Sequence, residues 1–295
     1  MPLVATLISH PEQAALKADI ANKASAALDA SQVNWLCENV ACDLVLGDGA
    51  DAAKVLDILR EIVAGHPIDV AVQESAARRK KMLIADMDST MIDQECIDEL
   101  AEEVGLKDHV AAITARAMNG EIAFEPALRE RVGLLKGLDR KVIDSVISNR
   151  ITLASGGREL VATMNDAGAH TALVSGGFDI FTGAIAAKLG FREHRANRLV
   201  EDGDKLAGLV EEPILGRAAK AQALAEITNQ LGITSRDVIA VGDGANDLDM
   251  LQVAGTGVAL HAKPSVAEAA PFRIDHGDLT ALLYLQGYRR VDFKL

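Results

Sequence analysis

The chain has 295 residues, with 43 Asp and Glu against 30 Lys and Arg, a formal charge of −13. That balance works against holding a polyanion, whose affinity comes from basic patches, and one Trp, two Tyr and six Phe leave few rings for stacking single-stranded bases. Cys37, Cys42 and Cys96 form no metal-type pairing, no apolar run reaches the about 18 residues of a membrane span, and MPLVATLISH lacks the positive flank of a signal peptide; the expectation is a cytoplasmic protein with reduced thiols.

Residues 1–77 read as one small α/β unit. LVATLISH predicts a strand over 3–10, and EQAALKADIANKASAAL a helix over 12–28 with an Ala/Leu/Ile stripe. VNWLC and ACDLVLG pair as a hairpin through Glu38-Asn39-Val40, AAKVLDILREIVAG is a helix stopping at Gly65, and IDVAVQES closes the set. The order β-α-β-β-α-β is ferredoxin-like. SAARRKK, with its basic cluster Arg78-Arg79-Lys80-Lys81, reads as a solvated linker.

From residue 78 to 295 strands alternate with helices, which predicts a mostly parallel sheet. The strands are MLIAD, HTALVS (170–175), DVIAVGD (237–243) and GTGVAL (255–260), the first three ending in a polar residue and a turn. In open α/β sheets ligands bind at those carboxyl ends. Helix FDIFTGAIAAKLG follows the second strand and NDLDMLQVAG the third. Between the first two strands lie three helix candidates, IDQECIDELAEEVG, HVAAITARAMNG and FEPALRERVGLLKG, read as a cap inserted at about 93–150. ANRLVEDGDKLAGLVEE predicts a hairpin turning at Asp202-Gly203-Asp204.

The stretch MLIADMDSTMIDQE places Asp86, Asp88, Asp93 and Glu95 directly after a core strand. Crowded carboxylates repel and lose solvation when partly buried, so the pattern asks for a cation. Asp86 and Asp243 with a backbone carbonyl make a hard oxygen site suited to Mg²⁺. Ser175, Gly176 and Gly177 at a helix N-terminus suit phosphoryl oxygens, and Lys220 adds a fixed positive charge. Asp86 could attack phosphorus, and Asp88 is placed to protonate the leaving alcohol and deprotonate the attacking water.

DMDST, LVSGG, Lys220 and VGDGAND together resemble the four motifs of the haloacid dehalogenase (HAD) superfamily, from about Leu83 to about Leu283. The resemblance implies an α/β, Rossmann-like core with a mostly parallel sheet and a small helical cap. The serine after the second aspartate, with SGGFD and GDGAND, points to the branch acting on phosphoserine: Mg²⁺-dependent hydrolysis to serine and phosphate through an aspartyl-phosphate, the last step of serine biosynthesis. It implies Asp86 as nucleophile, Asp88 as acid/base and carbonyl metal ligand, and Asp243 and Asp247 at the metal. Ser175, Gly176, Lys220 and Asn246 would surround the phosphate. In the cap, Glu95 would face the substrate ammonium and Arg131 its carboxylate, with Met118 and Phe124 shielding the site. Residue chemistry alone leaves Asp98, Glu99, Arg116 and Arg129 equally eligible in the cap. Met87 and Met91 stand where the family has Phe and Leu. The N-terminal unit resembles ACT-type domains and is expected to be a packing or dimerisation module, so a homodimer is one expectation.

A signalling receiver also carries an aspartyl-phosphate beside Lys, but it ends at its Lys, whereas Asp243 follows Lys220 here. An EF-hand reading of DMDST lacks the glycine at position 6 and has Ile97 at position 12. A dinucleotide reading of GDGAND lacks the third glycine. Phosphoryl transfer to another alcohol keeps the same intermediate and stays open.

Overall fold

A computed structural model describes residues 2–118 and 121–295, with side chains for all of these except 117 and 118. The first part of the chain runs β1 (Leu3–Ser9), α1 (Ala18–Ala27), β2 (Gln32–Cys37), β3 (Ala41–Val45), α2 (Ala52–Ile62) and β4 (Ile68–Glu74). The strands form an antiparallel sheet in the order β2-β3-β1-β4. Alternation along β1 buries both faces. Ala5 and Leu7 pack with Ile20, Ala24 and Leu59 of the two helices, while Ile8 joins the large core of the rest of the molecule. Helix α1 starts later than its periodicity predicts. Ala14 has φ +45°, which an α-helix cannot accommodate, and the Ala15 amide donates to Ser9 Oγ at 3.1 Å.

The basic stretch after β4 is solvated only at Arg79 and Lys81, and all four side chains have partners. Arg78 pairs with buried Asp43 at 2.7 Å, and the Arg79 guanidinium lies 3.6 Å over the Tyr288 ring. Lys80 is itself buried, donating to the carbonyls of Ala77 and Arg236 at 2.9 and 2.8 Å, and Lys81 pairs with Asp237 at 3.0 Å. Asp69 of β4 accepts the amides of Asp275, His276 and Gly277. Acids and carbonyls from distant segments turn a basic run into a strap, which no local pattern displays.

The rest of the chain runs β5 (Met82–Ala85), then α3 (Cys96–Glu103), α4 (Lys107–Met118), α5 (Phe124–Gly133) and α6 (Arg140–Asn149). It continues through α7 (Gly157–Asp166), β6 (His170–Phe178), α8 (Asp179–Leu189), β7 (Glu193–Asn197) and the hairpin β8 (Leu199–Asp202) and β9 (Lys205–Val210). It closes with α9 (Arg217–Leu231), β10 (Val238–Gly242), α10 (Leu248–Val253), β11 (Thr256–Leu260), α11 (Pro264–Ala269), β12 (Phe272–Ile274) and α12 (Ala281–Leu285). Six strands make a parallel sheet in the order β12-β11-β10-β5-β6-β7. Met82 and Ile84 face Leu224 and Ile227 of α9, while Leu83 and Ala85 face the side of α7, α8 and α12. Burial on both faces is why these strands are continuously apolar.

Helices α3 to α6 form the cap, four where three are predicted. In α6 the run RKVIDSVISN buries Ile143, Val146 and Ile147, and Asp139 caps it by accepting the Lys141 amide at 2.9 Å. Its β-branched residues weaken the helix signal in isolation. The hairpin forms where expected and docks on the cap, with Gly137 N donating to Leu206 O at 2.8 Å and Arg140 N to Asp204 O at 2.9 Å. Among the described residues no helix is long and apolar enough to cross a membrane.

Candidate active site

After β5 the chain passes to β6 on one side and later to β10 on the other, so a crevice opens at the carboxyl ends of these strands. Asp86 N donates to Val241 O at 3.0 Å, extending the β5–β10 ladder by one residue. The chain then turns about buried Met87, whose carbonyl takes the Met91 and Ile92 amides at 2.9 and 3.1 Å. Ser89 completes the turn at φ +54°.

Lys220, 1% exposed in α9, lies 2.6 Å from Asp86 Oδ1 and 2.5 Å from Asp247 Oδ1. Asp247 Oδ2 accepts the Gly244 amide at 3.0 Å. One carboxylate oxygen each from Asp86, Asp243 and Asp247 lies within 4.8 Å of the others. Thr90 Oγ1 donates to Asp243 Oδ1 at 3.4 Å. Asp88 uses both oxygens elsewhere: Oδ1 accepts the Cys96 amide at 2.9 Å, and Oδ2 accepts the Ser175 hydroxyl at 3.2 Å. Ser175 Oγ takes the Gly177 amide at 2.8 Å, and a Cβ on Gly177 would come 2.8 Å from Asp88 Oδ2, so the turn passes the acid only as glycine.

Burial, followed by the charge of Asp247, holds Asp86 well above the usual carboxylate range despite Lys220. Asp243 is pushed up to about 6 by burial and then by Asp247. Asp88 is raised by burial, against the Cys96 amide. Burial works to deprotonate Lys220, but Asp247 and Asp86 outweigh it and raise it. A single ammonium among three acids leaves excess negative charge in a partly closed site, and a hard divalent cation with oxygen ligands relieves it. The donor set therefore fits Mg²⁺.

Above this edge, Glu95 at the start of α3 accepts the Ser89 hydroxyl at 2.8 Å. Its carboxyl is crowded by neighbouring atoms although the residue has solvent access from the cleft. That crowding, and then Asp88, push it up to about 7, with solvent tempering the shift. Half-buried Arg131 donates to Thr114 Oγ1 at 3.2 Å and feels the charges of Asp98, Glu95 and Asp88. The Phe124 ring lies against the glycine turn, 3.2 Å from where a Gly176 Cβ would stand.

The model of the haloacid dehalogenase-like hydrolases matches residues 83–252, more than half of the chain and every segment of this site. The chain belongs to that family. A phosphoserine phosphatase from Polaromonas sp. is 44% identical over 230 residues, spanning 76% of this chain and 98% of its own. A solved HAD family hydrolase from Salmonella enterica serovar Typhi superposes with a TM-score of 0.86 at 30% identity, covering 96% of this chain and 98% of that one. A phosphoserine phosphatase solved as a phospho-aspartyl intermediate analogue is 42% identical, with a TM-score of 0.66 over 70% of this chain and 98% of that one.

In this HAD-like hydrolase Asp86, Asp88, Ser175, Gly176, Lys220, Asp243 and Asp247 come together as the motifs predict. Asn246 is half-buried, its Oδ1 against Gly244. Glu95, Arg131 and Phe124 sit on the cap side. Met118 ends α4, and its side chain lies outside the described residues. Sequence reasoning missed two partners, Thr90 and Cys96, and left a third, Asp98, undistinguished among the eligible cap acids. Thr90 was visible only as part of DMDST. Cys96 matters through its backbone amide, which no side-chain signal reveals. Asp98, whose buried Oδ1 has no hydrogen-bond partner among the described residues, is raised by burial and feels the Arg131 charge from across a helix pair.

Proposed function

We propose that this chain hydrolyses O-phosphoserine to serine and phosphate through an aspartyl-phosphate on Asp86, the last step of serine biosynthesis. The observation that carries the reading is that Lys220 pairs with Asp86, one of three carboxylates each offering an oxygen within 4.8 Å of the others, while Ser175 donates to the neighbouring Asp88. The relatives that are phosphoserine phosphatases support it.

Asp86, Asp243 and Asp247, with the backbone carbonyl of Asp88, would hold Mg²⁺, which when bound supplies positive charge against the phosphoryl group and the acids. The Ser175 hydroxyl, the Gly176 amide, Asn246 and the Lys220 ammonium orient the phosphoryl oxygens, so catalysis rests on positioning and charge neutralisation. An Asp86 carboxylate oxygen attacks phosphorus as the bond to the serine oxygen breaks. Asp88, whose raised pKa favours holding a proton, passes it to the departing alkoxide. Asp88 then takes a proton from water, which attacks phosphorus and breaks the bond to Asp86. Glu95 faces the substrate ammonium, and Arg131 takes the carboxylate through its planar fork. Phe124, with Met118 as the second expected shield, screens the reacting group from bulk solvent.

The three cysteines are free thiols, which suits a reducing cytoplasm. A homodimer through the N-terminal unit remains part of the proposal, read by light scattering. A phosphate-release assay across phosphorylated amino acids, with and without Mg²⁺, tests the function. Release from O-phosphoserine that depends on Mg²⁺ is expected. Ester consumption without free phosphate would indicate transfer to another alcohol instead.

A further inference from the structure

Strand β6 does not run evenly beside β7. Val174 pairs with Arg195 and Phe178 with Asn197, so three residues of β6, Ser175, Gly176 and Gly177, oppose only Ala196 of β7. Such a bulge bends the bulged strand and withdraws its backbone groups from the ladder. The Gly176 carbonyl is one of them. Some distance along, the loop entering α9 passes Leu215, whose amide and carbonyl likewise lie outside any strand or helix.

One buried side chain serves all three groups. Asn197, 3% exposed, donates from Nδ2 to Gly176 O at 2.8 Å and to Leu215 O at 3.2 Å, and its Oδ1 accepts the Leu215 amide at 2.6 Å. Two carbonyls facing Nδ2 fix the amide orientation, since the flipped form would set oxygen against both. The side chain thus acts as a short piece of backbone. It joins the turn bearing Ser175 to the loop that leads through Gly216 into α9 and Lys220.

We infer that Asn197 is a positioning residue that sets the separation between the Ser175–Gly177 turn and the Lys220 helix, and so the fit of the site to a phosphoryl group. The inference rests on the phosphoryl-transfer reading above. Its side chain does not touch the carboxylate trio; it acts on the two segments carrying the phosphate ligands. Asp at this position cannot donate to Gly176 O when ionised, and Ser keeps one hydroxyl donor but cannot span to Leu215. Either change lets the two segments drift apart, and misplacing reacting groups by about 1 Å costs on the order of 100-fold in rate.

The test measures binding of inorganic phosphate to the full chain by calorimetry, beside turnover of O-phosphoserine and of an aryl phosphate with Mg²⁺. Asn165→Ala is the control, because Asn165 Nδ2 also holds a loop carbonyl, Gly190 O at 2.7 Å, away from the site. Asn197→Asp and Asn197→Ser are expected to weaken phosphate binding by about 10-fold or more and to lower turnover of both esters alike. The control should lower the melting temperature with phosphate binding unchanged. Phosphate affinity near wild type in a folded Asn197 variant, or an equal loss in the control, overturns the inference. Failure of both Asn197 variants to fold overturns it too, by marking a purely structural residue. A wild type that binds phosphate but releases none from O-phosphoserine sinks the proposed substrate and leaves the Asn197 test intact.

Discussion

The Lys220 ammonium lies 2.6 Å from Asp86 Oδ1, with both side chains withdrawn from solvent. Removing one member of a buried pair strands the other charge, which typically costs about 3–5 kcal/mol. Lys220→Met should therefore destabilise the metal-free protein by about that amount in urea titrations near neutral pH, and less at pH 5, where the stranded acids can protonate. Turnover should fall about 1000-fold. An unchanged denaturation midpoint would show that the pair contributes little to the fold.

Asp86→Asn removes the attacking oxygen with almost no change in shape. Turnover should drop below detection, a loss of about 1000-fold or more, while the melting temperature without metal stays level or rises. The rise follows because one charge leaves a repelling cluster and Lys220 keeps Asp247 at 2.5 Å. Substantial activity in this variant would remove Asp86 from the chemistry.

Arg131 presents its guanidinium on the cap side, near Glu95 and Asp88. Arg131→Ala should cut kcat/KM for O-phosphoserine by about 100-fold, the loss of a bidentate charged contact, while an aryl phosphate without an amino-acid head loses little. Equal losses on both substrates would assign Arg131 to the phosphate or to the fold.

Much of this was legible because the motifs are local. DMDST, SGG and GDGAND each sit at a strand end, so alternation and turn chemistry alone place Asp86, Ser175 and Asp243 on one edge. Lys220 was harder, being one lysine in a helix with no outward sign of burial. What stayed hidden is long-range: Asn197 serves a bulge whose register is set by β7, and Arg78 finds Asp43 across the sheet. The fourth cap helix was missed because Val142, Ile143, Val146 and Ile147 favour strand as well as helix until packing decides.

Burial pushes Asp243 up to about 6 and crowding pushes Glu95 up to about 7, above their ordinary values of 3.8 and 4.5, with solvent in the cleft tempering the Glu95 shift. The metal-free fold thus holds more protons than the unfolded chain across this range. Their stabilising contribution is complete below about pH 4 and is lost as pH rises through 6 and 7. Melting temperatures of the metal-free protein should decline over that window, and saturating Mg²⁺ should flatten the decline. A metal-free profile that rises there would contradict the crowding of these acids.

The covalent step is tested most directly by mixing the Mg²⁺-loaded enzyme with O-phosphoserine, quenching in acid within one turnover, and mapping the modified peptide by mass spectrometry. One phosphoryl group on Asp86, absent in Asp86→Asn, is the expected result. Rapid phosphate release with no protein adduct, or an adduct on another residue, would contradict it.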